Sequence, residues 1–150
     1  MAERNYTTRR LSIVDALVDK LKTIDGSNQF LSSLYNQVYP RLKFWDEVEE
    51  FPSVHLNAGS ESRQYQAGGY KDRFLTVTLR CYVNEEDAVY ALEKLLQDVE
   101  TVVEENSRLQ YTDSNGTKQY TQQITVVSID TDEGVLEPYG VGEMLIEVRY

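Results

Sequence analysis

The side chains that most often perform catalysis are scarce in this 150-residue chain, which has one histidine, His55, and one cysteine, Cys81. Any Ser-His-Asp or Cys-His pair must use His55, which alternates with Val54 and Leu56 in a short strand-like segment. We therefore expect a structural histidine at the surface or at a sheet edge. Cys81 shares the apolar side of the strongest strand pattern, so we expect an inert, buried thiol.

The motifs that could bind ligands are incomplete. The run Asp130 to Gly134 resembles the start of a calcium loop, but its glycine comes one position early and Val141 replaces the closing glutamate. We expect a solvated acidic turn there. The pair Gly68 and Gly69 lacks the other glycines and the lysine of phosphate-binding loops. The sequence thus predicts no catalytic residues, no metal, no cofactor and no enzymatic activity.

The charge of the chain excludes several classes of partner. Fifteen Lys and Arg stand against 25 Asp and Glu, so the net charge is −10, the wrong sign for gripping DNA or RNA through phosphates. No stretch is apolar enough to span a membrane, so we expect no membrane partner. The length suits one domain, and with no linker or repeat we expect a single domain over residues 1–150.

Hydrophobic periodicity predicts the elements that must position any functional side chain. We expect helices over about 9–25 and 85–105, and strands over 54–57, 74–83, 124–129 and 144–150. Asn115-Gly116 predicts a tight hairpin between Tyr111 and Tyr120, whereas residues 28–40 fit a helix or a strand. The second helix carries eight carboxylates, Asp98 among them, which we interpret as a solvated face.

The order of these elements predicts an α+β fold. We expect an antiparallel-rich mixed sheet with two main helices packed on one face. The polar, turn-rich segment over about 58–72 lies between two strands, which indicates a long projecting β-hairpin arm.

Charge and aromatic residues favour an interaction or assembly protein. Residues 60–80 carry a net charge of +2 and residues 130–150 a net charge of −5. Opposite patches on one chain can meet head to tail, and such a contact makes a ring when it closes. Tyrosine and arginine dominate binding energy at protein interfaces. The expected interface residues, in subunit or tube contacts, are Arg63, Tyr65, Tyr70, Lys71, Arg73 and Arg80.

Nearly the whole chain resembles the tail terminator, or tail completion, proteins of long-tailed bacteriophages. The resemblance includes the amphipathic first helix and the region around Pro138. It also includes five shorter segments: Trp45 to Val54, Lys71 to Leu79, Glu85 to Glu105, Asp130 to Gly134 and Gly142 to Met144. It implies a homohexameric ring that caps the tail tube, stops its polymerisation and joins the tube protein to the head connector or completion protein. It also implies a location at the head-proximal end of the virion tail, after assembly in the host cytoplasm.

In that family the ring encloses a channel through which DNA passes. An acidic channel repels phosphates, so DNA should pass without specific binding. The residues that we expect to line the channel are Asp130, Asp132, Glu133, Glu143 and Glu147.

Other functions stay open at this point. A head–tail connector, a neck protein or a tail tube subunit shares the fold, but tube subunits form long polymers where a terminator forms closed rings. An acidic inhibitor that mimics DNA would be monomeric or dimeric and would bind a basic partner with strong salt dependence. An enzyme would need a pocket with perturbed carboxylates, which the sequence does not indicate.

Overall fold

The computed structural model describes residues 8–27, 29–113 and 115–150. Its two helices are α1 (Arg9–Leu21) and α2 (Ala88–Glu105). Its strands, in chain order, are β1 (Val38–Tyr39), β2 (Ser53–Tyr65), β3 (Lys71–Asn84), β4 (Gln110–Thr112), β5 (Lys118–Tyr120), β6 (Gln123–Thr131) and β7 (Tyr139–Arg149). A short 3₁₀ turn (Ala67–Gly69) joins β2 to β3. Within segment 28–40, which the sequence left open, only β1 is regular, and residue 28 lies outside the described residues.

Five strands form one mixed sheet in the order β1-β2-β3-β7-β6. β1 runs parallel to β2, and the other neighbouring strands are antiparallel. One hydrophobic core joins the apolar sides of both helices to one face of this sheet. The predicted α+β class, with two helices on one face of an antiparallel-rich mixed sheet, is confirmed.

Helix α1 is shorter than its periodicity predicted. The Thr8 hydroxyl caps its start by accepting a hydrogen bond of 3.1 Å from the Leu11 backbone N–H. The helix ends at Leu21 rather than near residue 25, because the N–H of Ile24 bonds to the Leu21 carbonyl in a tighter turn. This turn places Ile24 in the core, where its side chain is fully buried.

Helix α2 begins three residues later than predicted. Its N-cap is Asp87, whose carboxylate accepts a hydrogen bond of 3.2 Å from the Tyr90 N–H.

Further along the chain, β4 and β5 pair around Gly116, whose φ of 79° is the left-handed conformation that glycine adopts readily. The predicted Asn-Gly hairpin is therefore confirmed.

Most of the predicted arm over 58–72 is regular strand. β2 continues to Tyr65 and β3 begins at Lys71, with a bulge between Ala58 and Glu61, so only the turn around Gly68 lacks strand structure. Pairing of β3 with β7 starts at Phe74, so the tip of the hairpin extends past β7. The composition of this segment suggested a loop, because a two-stranded hairpin that is exposed to solvent on both faces carries polar residues throughout.

The environment of His55 contradicts one expectation. His55 is only 2% exposed, because β1 pairs along the outer side of β2 and this part of β2 is no longer an edge. Its ring lies 5.1 Å from that of Tyr39 and 5.5 Å from that of Tyr82. Burial lowers the pKa of His55, since it disfavours the charged imidazolium. The expected placement at the surface or at a sheet edge is therefore wrong.

Cys81 is fully buried, as predicted, and burial raises the pKa of its thiol to about 12. We expect no reaction of the native protein with a disulfide reagent such as Ellman's reagent at pH 8, since the thiolate is both rare and inaccessible. One equivalent should react once the chain is unfolded in guanidinium. Stoichiometric labelling of the native protein within minutes would contradict this placement of Cys81.

Candidate assembly surfaces

The sheet has a second face on which no helix packs within the described part of the chain. Along β7, the buried residues Met144 and Ile146 alternate with the half-buried Leu145 and Glu147. The half-buried set, which belongs to the face away from the helices, is called the open face below. A segment over residues 41–51, called the strap, covers one end of this face, where Tyr82 donates a hydrogen bond to the Lys43 carbonyl.

Three of the five expected channel residues lie together on the open face. Asp130 on β6 is directly opposite Glu143 on β7, and Glu147 is four residues further along β7. Arg80 on β3 pairs with Glu143 across the strands, with 3.2 Å between Arg80 Nε and Glu143 Oε2. Arg80, which we expected at a subunit interface, therefore shares a surface with the expected channel residues.

The other two expected channel residues lie in the turn between β6 and β7. The Asp132 carboxylate accepts hydrogen bonds from the backbone N–H groups of Leu136 (3.1 Å) and Val141 (3.3 Å). Asp132 is thus a half-buried brace of the turn and not a freely solvated charge. Glu133 is exposed and has a φ of 56°, the left-handed conformation.

Five of the six expected interface residues lie in the hairpin that ends at the β2–β3 turn. Tyr65 and Tyr70 are 71% and 75% exposed. The Lys71 ammonium lies 5.4 Å from the centre of the Tyr65 ring, and Arg63 Nε is 2.8 Å from a Glu61 carboxylate oxygen. This arrangement presents aromatic rings together with cations at one end of the sheet, here called the hairpin end.

Sequence reasoning missed the cluster that supports the hairpin end. The Arg9 guanidinium stacks 4.9 Å from the Tyr150 ring and donates a 2.8 Å hydrogen bond to the Tyr111 hydroxyl. Tyr150 donates in turn to Glu61, and burial together with this carboxylate raises the tyrosine pKa to about 12. The sequence signal for it was the basic pair Arg9-Arg10, with which α1 begins. The cluster joins α1, β2, β4 and the residue after β7.

The opposite end of the sheet is strongly acidic. It holds the strap, the start of α2 and the turn between β6 and β7, and it exposes the apolar side chains Phe44 and Val135. The carboxylates in these segments are Asp46, Glu47, Glu49, Glu50, Glu85, Glu86, Asp87, Asp132, Glu133 and Glu137. We call this the acidic end. The two ends of the sheet therefore differ in charge, although they do not coincide with the stretches 60–80 and 130–150, because β7 runs antiparallel to β3 along the whole sheet.

Metal and membrane sites are not apparent in the described residues. They contain no group of three or more His, Cys, Asp or Glu side chains placed to hold a metal ion. No described helix is long and apolar enough to cross a membrane.

Two comparisons with known proteins concern the family of this chain, and a third concerns its fold. Residues 7–150 match the family model of the bacteriophage tail tube terminator protein. The chain is 37% identical over 150 residues to the tail tube terminator protein p142 of Escherichia phage T5, covering 94% of this chain and 92% of that protein. A chain from the virion of a native gene transfer agent particle has the same fold, with a TM-score of 0.58, 7% identity, and coverage of 95% of this chain and 98% of that one.

Proposed function

Because this chain belongs to the bacteriophage tail tube terminator family, a family of structural proteins of the virion tail, we propose that six copies close into a ring on the end of the tail tube. The ring stops polymerisation of the tube and offers its other side to a connector or completion protein of the head. DNA passes through its centre. The observation that supports a ring is the difference in charge between the two ends of the sheet.

Ring closure uses the hairpin end of one subunit against the acidic end of the next. Such a contact is heterologous, so each subunit uses both surfaces once and the ring has no unpaired end. Arg63 and Lys71 face the neighbour's carboxylates, and Tyr65 and Tyr70 supply apolar contact area. Arg80 lies outside this contact, because it is nine residues along β3 from Lys71 and sits on the open face opposite Glu143.

The open face lines the channel. Asp130, Glu143 and Glu147 then point toward the DNA, and Glu133 lies near the rim, where the β6–β7 turn leaves the sheet. A wall of carboxylates repels phosphates and lets DNA move without being held. Asp132 contributes by bracing the turn rather than by facing the DNA.

Native mass spectrometry tests the ring directly. A hexamer has a mass of about 104 kDa, six times the 17.3 kDa chain. We expect this species at high protein concentration or when purified tail tubes are present. A strictly monomeric mass under both conditions would overturn the ring, and long polymers of the protein alone would indicate a tube subunit instead.

The proposed contact between subunits predicts the effect of charge reversal. We expect Arg63→Glu/Lys71→Glu to lower the fraction of hexamer at least about tenfold, because like charges then face each other across the interface. Lys22→Glu/Lys94→Glu is the matched control, since it makes the same charge change at the C-cap of α1 and on α2. If both variants assemble equally, the hairpin end is not the contact.

A further inference from the structure

The hairpin formed by the ends of β2 and β3 has two sides that the register of the strands tells apart. Residues opposite each other in an antiparallel pair lie on the same side of it. Glu61 is opposite Leu75, whose side chain is fully buried in the core beneath the helices. The side that includes Glu61, called the helix side below, carries Glu61, Arg63, Tyr65, Lys71 and Arg73. The side that continues the open face carries Ser62, Gln64, Asp72 and Phe74.

A one-residue bulge in β2 decides which residues lie on the helix side. Gly59 and Ser60 of β2 together stand opposite the single residue Thr76 of β3. Because side chains alternate along a strand, one extra residue moves every later side chain to the other side. In an unbroken register Arg63 would therefore lie on the side of the open face. The Arg10 guanidinium of α1 holds the bulge, since it donates a hydrogen bond to the Gly59 carbonyl.

The two sides of the hairpin differ in charge. The helix side, together with the arginine that reaches the bulge, has four cations against one side-chain carboxylate. The cations are Arg10, Arg63, Lys71 and Arg73, and the carboxylate is Glu61. Of the four, only Arg63 forms a salt bridge within the described part of the chain. On the other side, Asp72 pairs with Arg149, with 3.0 Å between Oδ2 and Nη2, so these two charges cancel.

Glu61 connects the helix side to the body of the subunit. Its carboxylate accepts a hydrogen bond from the Tyr150 hydroxyl, and Arg63 Nε lies 2.8 Å from its Oε2. The Tyr150 ring lies 4.9 Å from the Arg9 guanidinium of α1, and the Tyr150 N–H bonds to the Arg73 carbonyl at 2.9 Å. The Glu61 side chain is only 7% exposed. Its effect on a neighbouring molecule therefore acts through Arg63.

We propose that the acidic end of a second copy of this chain docks on the helix side of the hairpin and not on the other side, and that Glu61 is a positioning residue that holds Arg63 toward it. This inference rests on the proposed function, because it assigns one side of the hairpin to the contact between subunits. The acidic end fits this side, since its ten carboxylates stand against only Arg41 and Lys43 in the same segments. Complementary charge orients two surfaces as they dock.

Equal charge changes on the two sides of the hairpin test which side makes the contact. Arg63→Gln/Lys71→Gln and Ser62→Glu/Gln64→Glu each lower the net charge by two, and all four side chains are exposed. We expect the first variant to lower the fraction of hexamer at least about threefold and the second to leave it unchanged. Native mass spectrometry at several protein concentrations measures the fraction. Thermal unfolding shows whether both variants retain the fold.

Two substitutions of Glu61 distinguish positioning from charge. Glu61→Ala and Glu61→Gln both make the helix side more positive by one charge, so charge alone favours assembly equally in both. Glutamine still accepts a hydrogen bond from the Tyr150 hydroxyl, whereas alanine does not. We expect the fraction of hexamer to be at least about threefold lower for Glu61→Ala than for Glu61→Gln. If Glu61→Ala does not fold, Tyr150→Phe, which removes the same hydrogen bond, is compared with the parent protein instead.

The results that contradict each part are distinct. Equal fractions of hexamer for Arg63→Gln/Lys71→Gln and Ser62→Glu/Gln64→Glu would overturn the choice of side. A folded Glu61→Ala variant that assembles as well as Glu61→Gln, or a Tyr150→Phe variant that assembles as well as the parent, would overturn the positioning role. Failure of the proposed function gives another result, because the parent protein itself then forms no hexamer and this inference falls with it.

Discussion

A ring assembled from Asp130→Lys/Glu147→Lys subunits is expected to retain duplex DNA at salt concentrations at which the parent ring retains none. The net charge of each subunit rises by four, and both positions lie on the open face that we place around the channel. Each additional phosphate contact releases condensed counterions, so the gain in affinity should exceed about a thousandfold at low salt and fall steeply as salt is added. Retention on a sizing column at several salt concentrations measures it.

A matched control distinguishes the effect of where the new charges lie from the effect of the charge change itself. Glu93→Lys/Glu104→Lys makes the same charge change on exposed residues of α2, which packs on the other face of the sheet and outside the proposed subunit contact. If the control ring retains as much DNA as the Asp130→Lys/Glu147→Lys ring, the open face does not line the channel. Asp132 is unsuitable for this test, because its carboxylate holds the turn between β6 and β7 through two backbone hydrogen bonds.

The second large effect concerns stability. Asp98 on α2 is 2% exposed, and its carboxylate accepts hydrogen bonds from the N–H groups of Leu31 and Ser32 and from the Ser32 hydroxyl. We expect Asp98→Ala to lower the free energy of unfolding by about 3 kcal/mol, because these buried donors lose a charged acceptor. Urea unfolding monitored by circular dichroism measures the loss.

Glu93→Ala provides the comparison on the same helix. Glu93 is exposed, so we expect a change within about 0.5 kcal/mol. An Asp98→Ala variant as stable as Glu93→Ala would mean that the contact between α2 and the segment at Leu31 contributes nothing to the fold.

Asp98 also shows where sequence reasoning stops. The apolar stripe of α2 follows from spacing alone. Leu92, Leu95 and Val99 are buried as that stripe requires, whereas Val89 at its start is 44% exposed. From the sequence alone, a carboxylate beside this stripe is interpreted as part of a solvated face. Only the fold shows that the segment at Leu31 lies over this carboxylate, since the partners are more than 60 residues apart in the chain.

The same limit applies to the assembly surfaces. Local composition was sufficient to place Tyr65, Tyr70 and Lys71 in one hairpin, because they are neighbours in the chain. Register was not available from composition, so the pairing of Arg80 with Glu143 could not be predicted, although each residue was singled out. His55 was misplaced for a similar reason, since the two residues of β1 that cover it carry no recognisable strand pattern.

The strand order has a consequence for how the protein is made. β7 lies between β3 and β6, yet it is synthesised after both of them. Until residues 139–149 leave the ribosome, β6 has no neighbour in the main sheet and β3 has an open side, so the sheet closes late, through contacts distant in sequence. The surface that carries Asp130 and Glu143 therefore comes into existence only in that final step.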